Sequence, residues 1–174
     1  MKKTITVRAV KPADASRLAE IYKPYVENTA VSFELTPPDA SEMENRITTV
    51  TRKYPFFVAV YENRVVGYAY ASVFKNRAAY DHCAELSVYV EGAMCGKGVG
   101  TLLYKVLERA LKNMGVKNAY ACIAYPDGAE DETLTKGSVR FHYARGYAIC
   151  GHFTNCGYKF NRYYSMVWME KILS

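Results

Sequence analysis

The spacing of apolar residues along the chain changes from the period of a strand to the period of a helix. From Ala84 to Val90 every second residue is apolar and its neighbours are more polar, which predicts a strand with two different faces. From Val99 to Met114 apolar residues recur every three or four positions, and Gly115 follows, which predicts an amphipathic helix that ends at a left-handed glycine. A glycine-rich turn therefore joins a strand to a helix.

The same periodicities predict the other elements. We expect strands over residues 5–10, 56–61, 65–73, 118–125, 147–156 and 160–169, a helix that begins near residue 12, a second around residues 43–50 and a short one over residues 138–145. The turn Glu62-Asn63-Arg64 joins two of these strands in an antiparallel hairpin. Strands mixed with helices predict an α/β sandwich, in one domain over residues 1–174.

The turn at Gly96, Gly98 and Gly100 has the properties of an anion-binding site. Glycines let a ligand approach the backbone, and the unpaired N–H groups of the next helix point at it. The dinucleotide fingerprint is excluded because its third glycine is missing, and a P-loop is excluded because no Gly-Lys-Ser/Thr follows. Tight turns also use glycine for steric reasons alone. A carboxylate upstream, Glu85 on the polar face of the preceding strand, favours a functional site.

Composition limits the possible partners. The net charge is +6, but lysines and arginines are scattered, without a basic helix stripe or tail, which argues against nucleic acid and against a membrane surface. A phosphate-rich small molecule accounts for part of the positive charge. The N-terminus lacks a secretory signal, and no apolar run reaches membrane-spanning length, so we expect a cytoplasmic protein. Five cysteines without C-x-x-C spacing predict free thiols, with neither disulfides nor a metal site.

The turn also carries a family motif. Cys95-x-x-Gly98-x-Gly100 resembles the acetyl-CoA loop of the GCN5-related N-acetyltransferases (GNAT), in which Gln or Arg stands at the position of Cys95. Other matching segments are Lys75-x-Arg77-x-x-Tyr80-Asp81, Glu85-x-Ser87-Val88-Tyr89-Val90, Ser138-Val139-x-x-His142-x-x-x-Gly146-Tyr147 and Gly157-Tyr158-Lys159. Together they make the chain similar to the branch of phosphinothricin and methionine sulfoximine acetyltransferases.

This resemblance implies a fold and a cosubstrate. The fold is a central, mixed, twisted sheet of about seven strands flanked by about four helices, with the fourth and fifth strands splayed to admit the pantetheine arm. The cosubstrate is acetyl-CoA, used without a metal, and the acetyl group passes directly to the acceptor in a ternary complex. The implied cofactor-binding residues are Val88, Tyr89, Val90, Cys95, Gly96, Lys97, Gly98, Val99, Gly100, Thr101 and Ser138.

The resemblance also assigns the chemistry of transfer. An attacking amine must lose a proton, and the departing thiolate must be stabilised or protonated. Glu85 is the expected base, unless it forms a salt bridge with Lys75 or Arg77 instead. His142 stands where the superfamily commonly has a tyrosine acid, and it can protonate the thiolate or relay a proton, with the adjacent Tyr143 as an alternative. An ordinary helix histidine is the structural alternative.

The acceptor is expected to be a small, amino-acid-like amine. Lys75, Arg77 and Tyr80 form a cationic and aromatic cluster, and a guanidinium binds a carboxylate through two hydrogen bonds. Phe33 resembles the aromatic wall of the branch, although a core phenylalanine fits the sequence equally well. Relatives form homodimers that complete the acceptor pocket, so we expect a homodimer. Ser165 stands near where relatives often have Asp, and the physiological acceptor stays open.

Other functions and mechanisms fit parts of the pattern. A protein or peptide N-acetyltransferase and a non-catalytic acyl-CoA-binding module are the alternative functions. Cys95, near a helix N-terminus, can in principle carry the acetyl group covalently, but no histidine is close in sequence and the family transfers directly. Residues 127–137 form an acidic insertion relative to the branch, either a solvated surface loop or a lid that selects a positively charged acceptor.

Overall fold

Seven strands form one sheet in the computed structural model, which describes residues 4–173. They are β1 (Thr6–Ala9), β2 (Phe56–Tyr61), β3 (Arg64–Val73), β4 (Cys83–Val90), β5 (Asn118–Tyr125), β6 (Ala148–Lys159) and β7 (Arg162–Ile172). Their order is β1-β2-β3-β4-β5-β7-β6, and only β4 and β5 pair in parallel. The predicted domain of residues 1–174 includes residues 1–3 and 174, which lie outside the described residues.

Four α-helices cover the two faces of this sheet. They are α1 (Ala15–Glu27), α2 (Ala40–Thr51), α3 (Val99–Asn113) and α4 (Gly137–Tyr143). On one face, α1 and α2 pack over β2 and β3, with Leu18 and Ile47 in the buried cluster. On the other face, α3 packs through Leu103 and Leu107, one helical turn apart and fully buried. The predicted mixed sheet flanked by helices is confirmed.

Two hairpin turns differ in how well the sequence predicted them. The β2–β3 turn is confirmed, since Glu62 and Asn63 both have positive φ angles, of 50° and 61°. The turn of the last hairpin was expected between residues 156 and 160, which was wrong. The strands continue to Lys159 and from Arg162, and the turn consists of Phe160 and Asn161, with φ angles of 50° and 58°. Positive φ at both central residues suits a two-residue hairpin loop.

The parallel pair β4 and β5 separates soon after it forms. Pairing is restricted to Cys83–Glu85 of β4 and Asn118–Tyr120 of β5, although the strands continue to Val90 and Tyr125. Beyond Glu85 the two strands no longer share a ladder, and a cleft opens between them. The predicted splay of the fourth and fifth strands is therefore confirmed.

Three further properties limit what the fold can host. No helix between residues 4 and 173 is long and apolar enough to cross a membrane. Over the same residues, no group of three or more histidine, cysteine or acidic side chains is arranged to hold a metal ion. The five cysteines are free thiols.

Candidate active site

The cleft between β4 and β5 encloses a cavity of about 90 Å³. Ser87, Val88 and Tyr89 line it from β4, and Ser138 and His142 line it from α4. Except for Ser87, these are residues that the sequence predicted at the cosubstrate and catalytic sites, and the structure brings them together. Val90 is different, because it is absent from the cavity wall and its backbone contacts the Tyr25 hydroxyl, which donates a hydrogen bond to the Val90 carbonyl at 2.5 Å.

Glu85 lies at the point where the cleft begins. It is the last β4 residue paired with β5, and its side chain is half-buried on the face of the sheet shared with Ser87. Burial raises the pKa of this carboxyl group, and the charge of Lys75 partly opposes the rise. Within residues 4–173 the carboxylate has neither an ion pair nor a hydrogen bond, so the expected alternative, a salt bridge with Lys75 or Arg77, is not present. The carboxylate is free to accept a proton.

His142 is 3% exposed, and both of its ring nitrogens are occupied. Nδ1 lies 2.7 Å from the Ser138 carbonyl oxygen, which can only accept, so Nδ1 carries the proton. Nε2 therefore accepts a hydrogen bond from the Tyr104 hydroxyl, at 2.8 Å. Burial lowers the pKa of His142 to about 4, which makes the ring neutral at pH 7. His142 thus has no Nε2 proton to give directly to a thiolate, and a relay through this ring stays a prediction.

Tyr104 is a site residue that sequence reasoning missed. It belongs to the buried stripe of α3 and lines the cleft beside His142. Its position in the helix pattern is that of a core residue, and the signal was a polar hydroxyl on an otherwise apolar stripe. Tyr143, the alternative acid, is 51% exposed and is not among the residues that line the cavity. Tyr104 is therefore better placed than Tyr143 to meet a leaving group in the cleft.

The glycine turn forms an open cradle of backbone amides. Gly96 and Gly98 have φ angles of 75° and 81°, and Gly98 caps α3 without any side-chain hydrogen bond. The amides of both glycines lack acceptors within the described part of the chain, as do those of Val99, Gly100 and Thr101 at the start of α3. The Lys97 amide is directed to the Met94 carbonyl instead, at 3.4 Å. This arrangement fits an anion such as a pyrophosphate.

Gly100 has a packing role within the same motif. A Cβ atom added there would lie 3.0 Å from Phe141 Cε2, so glycine lets α4 pack against α3. Arg145 donates a hydrogen bond to the Thr101 hydroxyl and lies over the Phe141 ring, 3.7 Å from its centroid. The Cys95 thiol is directed to backbone carbonyls, 3.7 Å from that of Glu91. Glycine is thus needed for packing at Gly100, whereas at Gly96 and Gly98 it leaves backbone amides open to an anion.

The predicted acceptor residues fall into two separate groups. Lys75 lies over the rings of Phe74 and Trp168, with its ammonium 5.2 Å and 5.7 Å from their centroids, beside the N-terminal end of β4. Arg77 and Tyr80 follow in the exposed β3–β4 connection. Phe33 lies instead near the C-terminal end of β5, against the ring of Tyr164. The structure does not bring Phe33 and the cationic cluster together within one chain.

A buried lysine holds the segment that carries Phe33. Lys159 is 5% exposed, and its ammonium donates hydrogen bonds to the carbonyl oxygens of Val26, Thr29 and Ser32, at 2.6, 3.0 and 2.7 Å. Gly157 lies against the Phe33 ring so closely that a Cβ atom could not fit. The end of β6 thereby fixes the position of the Phe33 segment.

The 127–137 segment is exposed along most of its length. Residues 127–132 are exposed, as expected of a surface loop, whereas Leu134 is 3% exposed, lines the cleft and packs with Tyr164. Glu130 contacts Arg140 at 2.6 Å, and Asp131 contacts Arg162 at 2.6 Å, so these two charges are compensated within the chain. The role of a lid that selects the acceptor stays a prediction.

Comparison with known proteins extends these observations. A family model described as an acetyltransferase (GNAT) domain matches residues 7–168. A phosphinothricin N-acetyltransferase from Alcaligenes faecalis is 32% identical over 97% of this chain and 83% of its own length. Phosphinothricin and methionine sulfoximine acetyltransferases recur among the curated relatives, which confirms the resemblance to that branch.

Solved structures give the same result. A GNAT phosphinothricin acetyltransferase from Sinorhizobium meliloti, in complex with AcCoA, is 34% identical, with a TM-score of 0.89 over 98% of this chain and 89% of that one. A ribosomal-protein-alanine N-acetyltransferase from Brucella melitensis is 30% identical, with a TM-score of 0.88 over 96% and 99%. With the cleft, the amide cradle and these similarities, the chain belongs to the GNAT family of acetyltransferases.

Proposed function

We propose that the protein is an acetyl-CoA-dependent N-acetyltransferase that modifies the amine of a small, amino-acid-like acceptor by direct transfer in a ternary complex. The observation that carries the proposal is the unpaired carboxylate of Glu85 at the start of a cleft that leads to the open amide cradle. Names of relatives support it, since they include phosphinothricin and methionine sulfoximine acetyltransferases.

The residues present fit acetyl-CoA. The amides at Gly96, Gly98 and the first turn of α3 would hold the pyrophosphate, and the splay between β4 and β5 would admit the pantetheine arm. When bound, acetyl-CoA supplies a thioester whose carbonyl carbon an amine can attack. The charge of Lys97 adds to the attraction for phosphate.

In this proposal Glu85 accepts the first proton and Tyr104 assists the leaving group. Glu85 takes a proton from the acceptor ammonium, directly or through one water, which frees the nitrogen lone pair. The new C–N bond forms as the C–S bond breaks, and the second proton of the nitrogen is lost to the departing sulfur, which leaves as the thiol. Tyr104 turns its hydroxyl from His142 Nε2 to the departing sulfur and stabilises the negative charge there. His142 acts as a positioning residue, because its Nδ1–H bond to Ser138 fixes the ring.

The separation of Phe33 from Lys75, Arg77 and Tyr80 supports a homodimer. A second copy of the chain can bring its own cationic cluster to a site that one chain leaves incomplete. The last hairpin offers a surface for this contact, since its large side chains Phe153, Tyr158, Phe160 and Tyr163 are exposed. Sedimentation velocity at micromolar concentration tests the dimer. The free cysteines agree with a reducing compartment such as the cytoplasm.

Turnover of acetyl-CoA over a panel of amines tests the function. We would measure release of free coenzyme A thiol, with the thiol reagent kept separate from the enzyme's own cysteines, for amino acids, their sulfone and phosphinate analogues, polyamines and short peptides. Turnover with free amino acids or their analogues supports the proposal. Turnover with peptides alone would replace it with protein N-terminal acetylation, the activity in the name of the Brucella relative. Binding without any turnover would indicate a non-catalytic module.

A further inference from the structure

A second, larger cavity lies on the α1–α2 side of the sheet. Its volume is about 470 Å³, and neither the glycine turn nor the predicted acceptor residues contribute to its walls. Five aromatic rings form its interior, and we call it the tyrosine pocket. These rings belong to Tyr22, Phe56, Tyr68, Tyr70 and Tyr89. Asn45, Arg46 and Thr49 of α2 line its rim. A cavity of this size holds a small molecule.

The tyrosine pocket adjoins the transfer site through β4. Tyr89 lines both this pocket and the cleft between β4 and β5. Tyr70 pairs with Ser87 across the β3–β4 ladder, two pairs away from Glu85 and on the same face of the sheet. Residues two apart on a strand are separated by about 7 Å. An acceptor whose amine contacts Glu85 must therefore extend about 7 Å to place its side chain among the rings, which a benzyl or indolylmethyl group achieves and a methyl group does not.

Three tyrosine hydroxyls of the pocket, those of Tyr22, Tyr70 and Tyr89, are already engaged. The Tyr22 hydroxyl lies 2.6 Å from Ser32 Oγ and donates to Glu34 at 2.9 Å. Burial, with the Tyr22 hydroxyl as a hydrogen-bond partner, raises the pKa of Tyr89. Burial also raises the pKa of Tyr70, and a hydrogen bond with Ser87 opposes that rise. These hydroxyls have partners within the chain.

Among the described residues that line the pocket, Arg46 has the only guanidinium, and its charge is compensated. Arg46 binds both oxygens of Glu34, at 2.8 and 3.1 Å, and its Nε donates to Glu42 at 3.0 Å. The pocket thus combines a wide aromatic surface with a cation that is already paired. An anionic phosphinate needs a free cation, whereas a flat apolar ring gains from aromatic walls.

We propose that the tyrosine pocket takes the side chain of the acceptor and that it selects an aromatic amino acid or a close analogue. This inference rests on the proposed function, because it places the amine of the acceptor at Glu85. It names a substrate class different from the sulfone and phosphinate acceptors of the branch.

Two adjacent threonines of α2 provide a matched test. Thr48 and Thr49 are both exposed, but only Thr49 lines the tyrosine pocket. Thr49→Trp places a bulky ring in the cavity, and Thr48→Trp places the same ring in solvent. We expect the ratio of kcat/KM for L-phenylalanine over L-alanine to fall by about tenfold or more in Thr49→Trp, and to stay at the wild-type value in Thr48→Trp. An unchanged ratio in Thr49→Trp, or a wild-type preference for L-alanine, overturns the inference.

A binding measurement separates this inference from the proposed function. Isothermal titration of L-tryptophan into the protein saturated with coenzyme A needs no turnover. Binding that Thr49→Trp abolishes and Thr48→Trp retains supports the pocket, even if no acceptor is acetylated and the proposed function fails. Absence of L-tryptophan binding to a protein that acetylates other amines overturns the pocket and leaves the proposed function intact.

Discussion

Two groups of carboxylates near the cleft have opposite environments. Glu85 is half-buried and unpaired within the described residues, and burial raises its pKa. Glu130 and Asp131, in the 127–137 segment, are surrounded by donors. Hydrogen bonding to Arg140 lowers the pKa of Glu130, and hydrogen bonding to Thr133 and Arg162 lowers the pKa of Asp131. The first carboxylate is kept ready for a proton, and the other two are kept ionised.

This difference separates a group used in chemistry from groups used in structure. A carboxylate with a raised pKa destabilises the folded protein progressively as the pH rises from its usual pKa to the raised one, because its charge is poorly solvated in the fold. Carboxylates with lowered pKa values stabilise the fold above their usual pKa, and this stabilisation is lost as the pH falls through the lowered values. Removing each type of charge should therefore change stability in opposite directions.

The largest effect is expected for Glu85→Gln. Loss of the base should lower kcat by about 10²- to 10⁴-fold. The same change should raise the melting temperature at pH 7, because it removes a poorly solvated charge, and the gain should vanish as the pH falls below the usual pKa of a glutamate, where the wild-type carboxyl is protonated in both the folded and the unfolded protein. Steady-state kinetics and thermal melts at both pH values check this. A variant with wild-type kcat would exclude Glu85 as the base.

A smaller loss is expected for Tyr104→Phe, which keeps the ring and removes the hydroxyl that contacts His142. We expect kcat to fall by about 10²-fold, with little change in the Kd of acetyl-CoA. Tyr147→Phe is the matched control, since this buried tyrosine also contacts His142 but donates its hydroxyl to Glu108, at 3.0 Å. Equal losses in the two variants would show that buried hydroxyls matter only for packing.

The charge of Lys75 should lower the pKa of Glu85. Lys75→Met removes a cation that favours the ionised form of Glu85, so the pKa of Glu85 should rise further. The acidic limb of the kcat/KM profile should then move to higher pH. Arg77→Met is the comparison, because Arg77 is not among the groups that shift the pKa of Glu85, and it should change the KM of the acceptor alone. If the acidic limb does not move in Lys75→Met, Lys75 does not influence the pKa of Glu85.

The smallest effect on activity is expected for the double variant Glu130→Gln/Asp131→Asn. The melting temperature should fall at pH 7, and kcat should change by less than about twofold, because neither group is placed at the reacting atoms. Below about pH 4 the difference in melting temperature should shrink, as wild-type carboxylates lose their charge. A large loss of kcat with an unchanged melting temperature would instead show that the 127–137 segment takes part in catalysis.

The sequence predicted local features well and long-range contacts poorly. The strand that carries Glu85, the glycine turn and α3 follow from periodicity within about thirty residues. The hydrogen bond between Tyr104 and His142 Nε2 joins residues 38 positions apart. The helix pattern alone identifies Tyr104 only as a core residue. The extra length of the last hairpin had a similar cause, because Lys159 was expected in a turn and is buried by carbonyls from the other end of the chain.

The hydrogen bonds to those carbonyls also determine which part of the protein folds last. The three hydrogen bonds from Lys159 join residues 133, 130 and 127 positions apart. Contacts over such distances form late, since the intervening chain must first be brought together. During synthesis the segment that holds Phe33 leaves the ribosome long before Lys159 does. The first helices can fold early, but the segment that holds Phe33 is fixed in place only after Lys159 has been synthesised.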